Sequence, residues 1–171
     1  MNHIIYLVRH AIAAAAPAGM SDADRALTPE GQEKMRRAAV GLTHLDVMPD
    51  VVLSSPLRRA QETAAVVVSE LRLESSVEIY PSLAPGHDPE EVCKGLRTYR
   101  SARELMLVGH EPNMGLLASH LLTGSPTLVA LPFKKGAVAA IAVEAIPPRA
   151  AGMLLWFMTP KQLRAVGGRE A

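Results

Sequence analysis

Five apolar residues, Ile4-Ile5-Tyr6-Leu7-Val8, run without a polar break and stop at Arg9-His10. A run this short, apolar at every position, reads as a strand covered on both faces, as in a parallel sheet between helices. In such sheets, ligands bind in the crevice beyond the carboxyl ends of the strands. Arg9 and His10 are expected there, one a fixed positive charge and the other a candidate nucleophile. Taken alone, the pair also fits a buried strand that merely reaches the surface.

Two later segments repeat the arrangement. Val51-Val52-Leu53 leads into Ser54-Ser55-Pro56 and Arg58-Arg59, and Leu105 to Val108 leads into Gly109-His110. Helix starts fall between the strands: Thr28-Pro29-Glu30, Ser55-Pro56, Asp88-Pro89 and Pro112 each combine a capping residue or a proline with the first turn. The first helix is expected to bury Met35, Ala38, Ala39, Leu42 and Leu45, and the second Leu57, Ala60, Ala64, Val67 or Val68, and Leu71. Leu116, Leu117 and Leu121 are the expected buried face of the helix after Pro112. Gln32, Lys34, Arg36 and Arg37 read as a solvated side without a function. Val77 to Tyr80 is a third strand, and a helix from Asp88 is expected to run to about Arg100. Ala137 to Val143 and Met153 to Met158, joined through Pro147-Pro148, favour an antiparallel pair. The expected fold is a three-layer α/β/α sandwich with a mostly parallel sheet and an antiparallel strand, in one domain spanning 1–171.

A formal net charge of +1 gives no general attraction to nucleic acid or anionic membrane. No apolar run approaches the roughly 18 residues that cross a bilayer, and no secretory signal pattern opens the chain. The single cysteine, Cys93, reads as a small buried hydrophobe in a reducing compartment. A cytoplasmic protein is expected, with neither nucleic acid nor membrane as partner.

If the three strands are parallel neighbours, two histidines and at least two arginines converge on one sheet edge. Helix N-termini add backbone N–H donors, and the arginine fork matches phosphate oxygens. Two arginines in a helix's first turn oppose its dipole, which a bound anion would explain. Carboxylates are scarce at these positions, which argues against a metal ligand set. No Gly-rich phosphate loop with its lysine is present, so neither metal nor cofactor is expected. A histidine among arginines is held neutral, the form that attacks phosphorus.

These segments resemble the histidine phosphatase (phosphoglycerate mutase-like) superfamily. Leu7-Val8-Arg9-His10-Ala11 is similar to its Arg-His-Gly signature, with alanine for glycine. Ser54 to Ala64 is similar to its second motif and Val108-Gly109-His110-Glu111-Pro112 to its third, while Arg25 to Gly31 matches a further family segment. Small size, Leu83-Ala84-Pro85 and His-Glu-Pro point to the SixA-type phosphohistidine phosphatases. The resemblance implies His10 as nucleophile and Arg9, Arg59 and His110 as phosphate ligands. It selects Arg59 over Arg58 and adds Arg25 at the pocket rim.

Larger family members carry a glutamate that protonates the leaving oxygen, whereas Leu83-Ala84-Pro85 offers no acid at the matching place. His87, Asp88 and Glu111 are the substitutes, each also explained as a turn former or cap. A missing acid favours phosphohistidine, whose imidazole leaves readily. The leading expectation is a metal-independent phosphatase acting on phosphohistidine in a protein such as a phosphorelay domain. A small-molecule phosphomonoesterase and a non-catalytic phosphoryl-binding module are the alternatives.

Overall fold

The computed structural model describes residues 3–168; the first two residues and the last three of the 1–171 span lie outside it. Its six strands are β1 (His3–Arg9), β2 (Val51–Ser54), β3 (Val77–Ile79), β4 (Glu104–Gly109), β5 (Val138–Val143) and β6 (Met153–Met158). They form one sheet in the order β3-β2-β4-β1-β5-β6. β1, β2, β3 and β4 are parallel, while β5 runs against both β1 and β6.

The unbroken apolar run of β1 follows from its central place. Tyr6 and Val8 enter one core with Met106 and Val108 of β4, and Ile5 and Leu7 enter the opposite core with Leu105 and Leu107. Helices α1 (Pro29–Thr43), α2 (Arg58–Glu70) and α5 (Pro160–Gly167) cover the first face. Helices α3 (Pro89–Gly95) and α4 (Asn113–Thr123) cover the second. Three layers are thus built around a strand buried on both sides, the expected α/β architecture. Among the described residues, no helix is long and apolar enough to cross a membrane.

Several boundaries differ from those read in the sequence. Helix α2 begins at Arg58, with Leu57 at its N-cap, and not at Pro56. The Ser55 hydroxyl accepts from the Leu57 N–H and also contacts His110, so it is committed to a turn at the sheet edge. Helix α3 ends at Gly95 and tightens into a 3-10 turn over Leu96–Tyr99, short of Arg100. Leu45, Leu57 and Leu116 are only half-buried, and Met114 takes the core place beside Leu117 and Leu121.

Gly41 permits the contact between α1 and α5. A Cβ there would run into the backbone carbonyl of Leu163, which cannot swing aside as a side chain would. Gly41→Ala is expected to cost about 1–3 kcal/mol of stability through overpacking, read as a lower urea midpoint with an unchanged slope.

Candidate active site

The carboxyl ends of β1, β2 and β4 lie side by side. The His10 N–H continues the ladder to the Gly109 carbonyl at 2.9 Å, and the Ser55 N–H does the same to Val108 at 2.9 Å. This register delivers His10, Ser55 and His110 to one edge, and the first turn of α2 places Arg59 over them. Arg59 is 5% exposed, His10 7% and His110 3%.

His10 has a defined tautomer. Its Nδ1 lies 2.7 Å from the Ala11 carbonyl, which can only accept, so Nδ1 carries the proton and Nε2 keeps its lone pair. Arg59 Nε donates to that Nε2 at 3.3 Å. Burial, opposed by the Ala11 hydrogen bond and reinforced by Arg59, Arg9 and Lys135, pushes the His10 pKa down to about 4. The ring is neutral at pH 7, as a nucleophile requires.

His110 packs against it with ring centroids 5.1 Å apart. Its Nε2 meets the Ser55 hydroxyl at 2.7 Å, while its buried Nδ1 has no hydrogen-bond partner in the protein. Burial, followed by His10 and Arg59, lowers its pKa to about 3. A buried polar atom left unpaired is costly, so Nδ1 is a candidate contact for a bound oxyanion.

Both folded-state values lie below the ordinary imidazole value of 6.5. Below that value the unfolded chain takes up protons that the folded protein refuses. Stability is therefore expected to fall as pH drops from about 6.5 through about 4. The ring C–H resonances of His10 and His110 should stay at their neutral positions from pH 8 to about 5. A midpoint near 6.5 would contradict the burial argument.

Arg59 is anchored by a residue that the sequence reading passed over. Its Nη2 donates to the Asp22 carboxylate at 2.9 Å and its Nη1 to the Asp22 carbonyl at 2.7 Å. Asp22 belongs to a single 3-10 turn, Asp22–Asp24. It also accepts from Arg25 Nη1 at 2.8 Å, and these contacts, Arg25 first, hold its carboxyl below the usual range. With the guanidinium tips fixed, the Nε edge faces His10. The signal was an aspartate three residues before Arg25, legible only once the loop is known to fold over α2. Asp22→Ala is expected to lower kcat/KM about three- to tenfold, on the scale of one solvent-screened hydrogen bond to a charge. Comparison with Asp22→Asn would show whether charge or shape holds Arg59.

Arg25, expected at the pocket rim, is bonded to Asp22 and, through Nε, to the Ala14 carbonyl at 2.7 Å. Arg58 points away and pairs with Glu62 at 2.8 Å, and Glu62 also accepts from the Leu27 N–H at 2.6 Å. Thr63 accepts from the Ala11 N–H at 3.0 Å and donates to the Arg59 carbonyl at 2.6 Å, tying the loop after His10 to α2.

Arg9 Nη1 donates to the Phe133 carbonyl at 2.6 Å, and its buried Nε has no partner in the protein. Glu111 fastens that carbonyl's own residue by accepting from the Phe133 N–H at 3.3 Å, and it also accepts from Gly115 at 3.2 Å. Glu111 is thus committed to loop structure. Asp88 caps α3 by accepting from the Glu90 N–H at 2.7 Å, and His87 pairs with Glu91 at 3.1 Å. Cys93 is buried, and burial pushes its thiol up to about 12. Among the described residues, no three His, Cys, Asp or Glu side chains stand together as a metal ligand set.

Comparison with known proteins agrees with this arrangement. The sequence profile of the Histidine phosphatase superfamily (branch 1) matches residues 5–84. The Phosphohistidine phosphatase SixA of Escherichia coli (strain K12) is 30% identical over 162 residues, 94% of this chain and 96% of that protein. The solved structure of the protein histidine phosphatase SixA complexed with tungstate matches with a TM-score of 0.82 at 30% identity, covering 94% of this chain and 99% of that one. The alpha-ribazole phosphatase of Shigella flexneri shares the fold at a TM-score of 0.66 and 20% identity, with 92% and 96% of the two chains covered. With near-complete coverage at this identity, and with the motif residues gathered at one sheet edge, the chain belongs to the histidine phosphatase superfamily.

Proposed function

We propose that this enzyme removes phosphate from phosphohistidine in a protein, without a metal ion, through a phosphohistidine intermediate on His10. The observation that carries the reading is the His10 tautomer: Nδ1–H is spent on Ala11, so the Nε2 lone pair faces Arg59 Nε at 3.3 Å. In the first step Nε2 attacks phosphorus, and the substrate's P–N bond breaks. A substrate imidazole protonated at its other ring nitrogen departs as neutral imidazole, so no enzyme acid is needed. Water then attacks the phosphoenzyme, the His10–P bond breaks, and inorganic phosphate leaves. Arg59, Arg9 and His110 supply donors to the oxygens on which charge redistributes.

The commitments of Asp88, Glu111 and His87 to local structure support a substrate that needs no proton from the enzyme. Two neighbouring histidines without a third ligand support chemistry without a metal. SixA of Escherichia coli, named as a phosphohistidine phosphatase, supports the substrate class.

The test compares kcat/KM for a phosphohistidine peptide with that for a panel of alkyl phosphomonoesters, alongside acid-quenched trapping of labelled phosphate on the enzyme. A large preference for the peptide, with label on His10, is expected. Equal rates on alkyl esters would overturn the substrate assignment. Binding of phosphate without labelling or turnover would mark a non-catalytic module.

A further inference from the structure

Beside the His10 edge lies a cavity of about 510 Å³ whose lining includes five cationic side chains: Arg9, Lys34, Lys134, Lys135 and Arg164. No carboxylate lines it. Among the described residues, only Lys34 of the five has an ion-pair partner, Glu30 at the start of α1. In a chain whose formal net charge is +1, this is a pronounced local concentration of one sign.

Its position is fixed by the backbone. Residues Lys134 to Ala137 form a turn closed by the Ala137 N–H on the Lys134 carbonyl at 2.8 Å, with Gly136 at a φ of +81. A positive φ at the third position is the demand of a type II turn, which glycine meets without strain. The Gly136 N–H then donates to the carbonyls of Arg9 at 3.0 Å and His10 at 3.2 Å. The lysine turn is thereby tied to the residue that carries the nucleophile. Both lysines are exposed, and Arg164 approaches from α5 across the cavity.

We propose that this cavity is a specificity subsite for acidic residues that adjoin the phosphorylated histidine of the substrate protein. The inference rests on the function proposed above and names a feature of its substrate. Three of the five cations are lysines, one on α1 and two on the turn, point charges spread around an open cavity. That distribution suits carboxylates spaced along a segment better than one compact phosphate, which favours arginine forks and converging backbone amides. Exposed charges of this kind act chiefly on encounter and are screened over about 8 Å at physiological salt. Lys34, read in the sequence as part of a solvated helix face, gains a role here.

The test uses full-length His10→Ala protein and two peptides carrying a stable phosphotriazole analogue of phosphohistidine. One peptide has Asp and Glu flanking the analogue, the other Ser and Asn. By fluorescence anisotropy at low salt, the acidic peptide is expected to bind about tenfold tighter, with the preference shrinking as salt rises. In the same His10→Ala background, Lys134→Ala with Arg164→Ala removes two of the five cations and should bring the ratio of the two dissociation constants about threefold or more nearer to one. Equal affinities in the parent protein, or a preference left unchanged by the double substitution, would overturn the subsite. If pyrophosphate gains over phosphate through the same residues while the peptides do not differ, the ligand is a small second phosphate and the assignment to a protein segment fails. Binding here does not depend on turnover. A preference without wild-type hydrolysis would therefore sink the proposed activity and leave the subsite standing.

Discussion

Replacing His10 by alanine is expected to lower turnover of a phosphohistidine peptide by about 10⁴-fold or more, the scale on which removing a nucleophile or its base abolishes covalent catalysis. Labelled phosphate should no longer be trapped on the protein. The fold should survive, because the backbone N–H of residue 10 still pairs with the Gly109 carbonyl and the strand below stays buried on both faces. The variant should also lose part of the acid-side fall in stability, since one imidazole that resists protonation has gone. Residual turnover near the wild-type rate would place the nucleophile elsewhere and overturn the proposed mechanism.

Arg59→Ala is expected to lower kcat by about 10²–10³-fold, as for removal of one preorganised donor to developing charge. Arg59→Lys should recover little. The native side chain uses three edges at once: Nε on His10, and Nη1 and Nη2 on Asp22. An ammonium is a single point charge and cannot hold that fork. The loss should therefore appear mainly in kcat, through misplaced charge, and less in KM. Near-native kinetics in the lysine variant would show that charge alone suffices and that the fork geometry is incidental.

The elements most legible in the sequence were those in which local pattern and global place agree. Ile4 to Val8 could be read as a doubly covered strand because helices packed on both sides of the sheet leave neither face to water. Thr28-Pro29 marked α1 because the threonine hydroxyl does accept from Gly31 at 2.9 Å. Ser55-Pro56 misled, because a serine before a proline signals a cap whether its hydroxyl serves the helix or a histidine from another strand. The same limit hid Asp22 altogether and hid what Glu111, named as a substitute acid, is committed to. Their roles consist of contacts 37 and 22 residues away in the chain, to Arg59 and Phe133. Spacing encodes what meets along one helix or strand; it carries little about which loop folds over which. Arg58 and Arg59 are adjacent and chemically identical, so only the family resemblance separates them in the sequence; in the structure α2 turns one towards Glu62 outside and the other towards His10 inside.

The strand that leads to His10 pairs on one side with β4, whose residues follow it by about a hundred positions, and on the other with β5, which follows by about 130 to 140. Arg9 and His10 therefore take their places only through partners far along the chain from them. A sheet assembled from such distant pairings must close long loops before its contacts reward it, so the pocket is expected to be a late and comparatively slow product of folding.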